Sequence, residues 1–150
     1  MESSNLSLSA PRRWNEQLGG IVWLPRLIDK ARSAINGQLG GYLFGQSPID
    51  AALLKALGLS HHAFATMVKE APDDASFLAA LEASTPQGVE RARAWGEQLP
   101  RTHRLFLSVI DIDDGYTGSP LAKKMLNALT NPFMAFIKRA RPSRAAKFSP

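Results

Sequence analysis

The 150-residue sequence contains no cysteine. That absence excludes disulfides, thiolate nucleophiles and cysteine-ligated zinc or iron–sulfur sites, and it removes any pointer to an oxidising compartment. Aromatic residues are sparse, at 8% of the chain. No apolar run approaches the ~20 residues a membrane helix requires. The opening stretch Met1 to Ala10 has neither a basic n-region nor an apolar h-region, so it does not read as a secretory signal. These absences lead us to expect a cytoplasmic protein. Walker and G-x-G-x-x-G sequences are missing too, and Gly19-Gly20 is too short to be a phosphate-binding fingerprint.

Acidic residues are missing from the end of the chain. Residues 119–150 carry seven basic and no acidic side chains, whereas residues 1–118 carry eleven basic and thirteen acidic ones. The net charge of +5 and the pI near 9.9 therefore belong to the tail, and the region before it is electrostatically ordinary.

What is present is enough apolar content, 45%, for one sizeable core. Leu24, Leu27, Ile28, Ala31 and Ile35 form one stripe of a 3.6-residue period, with Pro25 in the first turn and Asn36-Gly37 as a stop. Ser47-Pro48-Ile49-Asp50 reads as a cap, a helix-opening proline and an early acid, ahead of a helix that ends at Gly58. Ser60 starts another helix after a two-residue break that suggests a tight αα-hairpin. Further starts fall at Pro72-Asp73-Asp74 and Thr85-Pro86, and Pro100 is expected to close the helix that carries Val89, Ala92, Trp95 and Leu99. Leu105 to Ile110 fits helix or strand by period alone, and we read it as helix. The glycine-bracketed patch from Gly40 to Gly45 carries no structural signal that decides it.

The fold expected is all-α: a single compact domain of about six to eight short helices packed as αα-hairpins, with a basic C-terminal extension. Residues 1–10 form a flexible lead-in, 11–118 the helical domain, 119–141 basic amphipathic helices and 142–150 a disordered tail.

Four features are candidates for chemistry. Arg26, Asp29, Lys30 and Ser33 share the face of the 24–35 helix opposite its apolar stripe, where they can hold an anion or position a carboxylate; the alternative is a solvated face with weak ion pairs. Asp111-Ile112-Asp113-Asp114-Gly115 offers three carboxylates before a glycine, but it fails as an EF-hand, which needs glycine at position six and glutamate at twelve. A polar turn is the plainer reading. His61 and His62 are adjacent and point about 100° apart, so they do not chelate one metal. His103 would form an acid–base dyad with Asp111, Asp113 or Asp114 if the fold brought them together. In the tail, Lys123, Lys124, Lys138, Arg139, Arg141, Arg144 and Lys147 suit weak, salt-sensitive contact with nucleic acid or an anionic lipid surface, or simply keep the chain solvated.

The run from Leu18 to Arg32, LGGIVWLPRLIDKAR, resembles the opening signature of small bacterial proteins grouped as the domain of unknown function 5069 family. Pro48-Ile49-Asp50, Leu57-Gly58-Leu59, the start at Asp73, the Trp95 segment and Asp111 to Gly115 follow in the order that family shows, so the resemblance covers roughly residues 11–116. It implies a small bacterial helical protein and supplies no reaction. It concentrates on Arg26, Asp29, Lys30, Arg32, Asp50, Asp113 and Asp114 among polar positions; residues 119–150 lie outside it.

The function expected is a non-enzymatic binding or regulatory module that takes a protein partner or a small anionic ligand, with no cofactor, no metal and no assigned catalytic residue. The alternatives are a small enzyme with Asp/His acid–base groups and Mg²⁺, and a binder of nucleic acid or anionic membrane through the tail.

Overall fold

The structure is a computed structural model that describes residues 10–38 and 44–115. The first nine residues of the expected lead-in, most of the Gly40 to Gly45 patch, the expected helices of 119–141 and the basic residues from Lys123 to Lys147 lie outside the described residues. The chain parts between His103 and Arg104 into two units.

Among the described residues there are six helices: α1 (Leu24–Ile35), α2 (Pro48–Leu57), α3 (His61–Glu70), α4 (Asp74–Ser84), α5 (Pro86–Thr102) and α6 (Arg104–Asp113). The all-α class follows from this content. No helix among them is long and apolar enough to cross a membrane.

Local chemistry explains most of the boundaries. Ser47 caps α2 by accepting the Asp50 amide, and Ser60 caps α3 by accepting the Ala63 amide. Asp73 opens α4 by accepting the amide of Ser76 at 2.7 Å. Its pKa falls below the ordinary aspartate value chiefly because of that bond. Thr85 opens α5 differently: its hydroxyl donates to the Leu57 carbonyl at 3.0 Å and so ties α5 to the end of α2.

Three features depart from the sequence reading. A two-stranded antiparallel hairpin, β1 (Gln17–Leu18) and β2 (Ile21–Val22), precedes α1. Gly19 and Gly20 make its turn with φ of +59° and +78°, a double left-handed conformation that glycine adopts freely and that matches the twist of a two-residue hairpin. Strands of two residues have no period to read. Next, α5 runs through Pro100 to Thr102. A proline in a helix's last turn forfeits a single backbone bond, and the turn still closes through the His103 amide on the Leu99 carbonyl at 3.0 Å. Lastly, the short break after α2 does not make α2 and α3 principal partners. The main pairings are α2 with α5 and α1 with α3, supplemented by α3 with α4 and α4 with α5.

In the first unit, Ile21, Leu24, Leu27, Ile28, Leu53, Leu57, Phe64, Phe77, Leu81 and Leu99 are fully buried. Phe64 meets Phe77 edge-on, with ring centroids 5.1 Å apart. The α1 stripe is buried from Leu24 to Ala31, but Ile35 in the last turn is exposed. The approach of α5 to α2 is close at Gly88, where a Cβ would fall 2.2 Å from the Leu57 carbonyl oxygen. In the second unit, α6 shows that Leu105 to Ile110 is helical; Leu105 is exposed and Leu107 buried.

Candidate functional site

Two of the polar residues of α1 are buried, while Asp29, Arg32 and Ser33 are part-exposed. Arg26 is 3% exposed and Lys30 4%. Placing an ammonium in the interior is costly unless it meets a counter-charge with its hydrogen bonds satisfied. Asp50, in the first turn of α2 and 0% exposed, supplies it. Lys30 Nζ lies 3.0 Å from Asp50 Oδ1 and 2.9 Å from Oδ2. The carboxylate takes two further donors, Trp23 Nε1 at 2.8 Å on Oδ1 and the Gly45 amide at 3.1 Å on Oδ2. Three donors making four hydrogen bonds fill the roughly four acceptor sites a carboxylate offers.

Trp23 is the hinge of this centre. It precedes α1 with φ of +73°, the one described non-glycine residue in the left-handed region. A bulky side chain there costs of order 1–3 kcal/mol and persists when its surroundings over-determine it. Here they do. The indole is 1% exposed, donates to Asp50, and carries two cations across its ring: Arg26 Cζ at 5.2 Å and Lys30 Nζ at 5.4 Å from the centroid.

A second cluster adjoins the first along α1. Arg12 reaches Asp29 in a fork, Nε to Oδ2 and Nη2 to Oδ1, both at 2.9 Å, and its main-chain amide donates to Asp29 Oδ2 at 2.8 Å. Its Nη1 donates to Asp74 Oδ2 and its Nη2 to the Pro25 carbonyl at 3.3 Å. Arg32 completes the set by donating to Asp74 Oδ1 at 2.8 Å. The Asp74 pKa is lowered, first by the Arg12 hydrogen bond, against partial burial. Burial acts against the charge on Arg12, and bonds from Asp29 and Asp74 outweigh it, so its pKa rises above the ordinary arginine value. Arg26 joins the two clusters: its Nη1 donates to the Arg12 carbonyl at 3.2 Å.

Five of the seven patch residues, Arg26, Asp29, Lys30, Arg32 and Asp50, thus fall in two adjoining networks. Arg12 and Asp74 are the members sequence reasoning missed. Arg12 sat in what reads as the edge of a polar lead-in, and Asp74 reads as an ordinary first-turn acid. Asp113 ends α6 in the second unit and is exposed, and Asp114 follows it in a turn, half-buried. His103 is exposed at the end of α5, with Nδ1 2.8 Å from the Thr102 hydroxyl. His61 and His62 are exposed in the first turn of α3. Among the described residues, no three His, Asp or Glu side chains gather in a metal-holding group.

A family model described as Domain of unknown function (DUF5069) matches residues 9–104. The chain belongs to this family. The DUF5069 region takes in both networks whole, from Arg12 to Asp74, and leaves Asp113, Asp114 and the basic residues beyond 118 outside it. No curated protein matches the chain.

Proposed function

We propose that the chain is a non-enzymatic binding module in which the buried Trp23–Lys30–Asp50 network is framework. The observation that carries this reading is the state of Asp50. A general base or metal ligand needs a free acceptor site directed at its target. Asp50 instead meets Trp23 Nε1, Lys30 Nζ and the Gly45 amide, with Lys30 on both oxygens, and is 0% exposed. Asp29 and Asp74 are likewise engaged, by Arg12 and Arg32. A cytoplasmic setting suits a chain without cysteine.

Calorimetric titration of the full chain with Mg²⁺ tests the reading against the acid–base enzyme. The expected result is no saturable binding below about 1 mM, the range of weak carboxylate sites. Saturable binding that Asp50→Asn, Asp113→Asn or Asp114→Asn removes would overturn it.

A second reading, contact with a polyanion through residues 119–150, rests on the seven basic and no acidic side chains there. Binding to single-stranded RNA, duplex DNA and anionic vesicles, followed across a salt series with and without residues 138–150, separates the sources. A shallower salt dependence in the truncated chain supports tail contact. Identical curves for the two chains dismiss it.

A further inference from the structure

Residues 10–13 form no helix or strand, yet Arg12 is held by six hydrogen bonds. Four of them go to the guanidinium, which has five N–H donors in all. The other two engage the main chain on either side of its Cα: the amide donates to Asp29, and the carbonyl accepts from Arg26. This is how a protein recognises an arginine within an extended peptide, by side-chain fork and backbone together.

The acceptors belong to α1 and α4, at sequence separations of 17 residues for Asp29 and 62 for Asp74. Both helices are built into the core by residues other than these, Leu24, Leu27 and Ile28 on α1 and Phe77 and Leu81 on α4. The acceptors' positions are therefore set independently of the segment that occupies them. Arg26 adds a separate observation: a cation 3% exposed directs its Nη1 at the main-chain carbonyl of the seated residue, an arrangement that reads backbone rather than charge. The contact is also reachable from solvent, since the side chains of Arg12, Asp29 and Asp74 are 31%, 25% and 26% exposed.

We propose that Asp29, Asp74 and the Pro25 carbonyl, with Arg26, form an arginine socket that Arg12 fills as a tethered ligand, and that an arginine-bearing peptide segment of another polypeptide displaces it. The inference deepens the binding-module reading and rests on it. A short tether presents Arg12 at an effective concentration on the order of millimolar. A rival peptide must exceed that figure or add contacts of its own. Lysine does not substitute, because a point-charge ammonium cannot span the fork that Asp29 receives and the Asp74 oxygen together.

Chemical complementation of the full chain tests this. In Arg12→Ala the socket is vacated, and N-acetyl-arginine amide is expected to raise the melting temperature saturably. N-acetyl-lysine amide at the same concentration and ionic strength is expected to give less than a third of the shift, and Arg12→Ala/Asp29→Asn to respond to neither. Equal shifts from the two amides, no shift from either, or a response that survives Asp29→Asn would each overturn the socket. If Arg12→Ala does not fold, Arg12→Lys takes its place under the same criteria. In the unaltered chain, a peptide Ala-Pro-Arg-Arg in several-fold excess over the effective concentration is expected to shift the amide resonances of Asp29 and Asp74; failure of the peptide to move them also overturns displacement. The two proposals fail separately: a socket that does not respond leaves the binding module standing, and saturable Mg²⁺ binding at Asp50 removes the module without touching the arginine response.

Discussion

Trp23 and Asp50 are joined by a 2.8 Å bond from the indole Nε1 to Oδ1, across 27 residues of sequence and with both side chains out of solvent. The bond fixes the tryptophan at the mouth of α1 and supplies one of the donors that make a buried carboxylate tolerable. Trp23→Phe removes the donor together with one of the two fused rings of a fully buried side chain. It is expected to cost at least about 1–3 kcal/mol, the penalty for depriving a buried acceptor of a partner, with the vacated ring volume adding to it. Urea unfolding measures it as a lower midpoint at unchanged slope.

The ion pair itself is expected to behave asymmetrically. Lys30→Met and Asp50→Leu each leave one buried charge without its partner and are expected to cost about 3–5 kcal/mol. The double variant Lys30→Met/Asp50→Leu is expected to cost clearly less than the sum, because it removes both charges together. A double-mutant cycle by denaturant unfolding gives the coupling; strict additivity would show that the pair is not an energetic unit.

Acid should weaken the Arg12 cluster. The Asp74 carboxyl has its folded pKa depressed by Arg12, so its contribution is present above the ordinary aspartate pKa and is lost as pH falls through the lowered folded value. The loss therefore lies below roughly pH 4. Melting temperatures between pH 6 and pH 2 are expected to fall less steeply in Asp74→Asn than in the unaltered chain, and parallel curves would show that Asp74 contributes nothing to acid sensitivity.

Gly88 has no room for a side chain. Its Cβ would stand 2.2 Å from the Leu57 carbonyl oxygen and 2.3 Å from the Thr85 hydroxyl, the two atoms that join α2 to α5. Gly88→Ala is expected to destabilise the chain by about 1–3 kcal/mol despite alanine's better helix propensity. Thermal unfolding of this variant beside Ala94→Gly, at an exposed position on the same helix, separates crowding from propensity.

What the sequence discloses and what it conceals divide along the distance over which residues act. Ser47, Ser60 and Asp73 cap helices through bonds three residues away, and those starts are readable because the chemistry is local. The stripe from Leu24 to Ala31 is readable for the same reason. Arg26 and Lys30 look like surface residues because the oxygens that receive their protons, the Arg12 carbonyl and the Asp50 carboxylate, lie on other segments. Asp50 reads as a first-turn acid, which it is, and nothing in its neighbours says that it is also the anion of a buried pair. Arg12 was out of reach because its partners are 17 and 62 residues distant. The hairpin left one usable trace, its double glycine, and α5 passes Pro100 because one missing N–H near a helix end is cheap.

The two networks have a kinetic consequence. They connect Arg12, Trp23, α1, Asp50 and Asp74, so none closes until segments separated by 17 to 62 residues have already been brought together. Contacts of that separation form late, after loop closure has been met by more local association. Weakening them should leave the refolding rate nearly unchanged and accelerate unfolding, the behaviour of interactions absent from the transition state. By this account the charged interior of α1 acts as a brake on the way out of the native state, and it sets the lifetime of the fold more than the speed of its assembly.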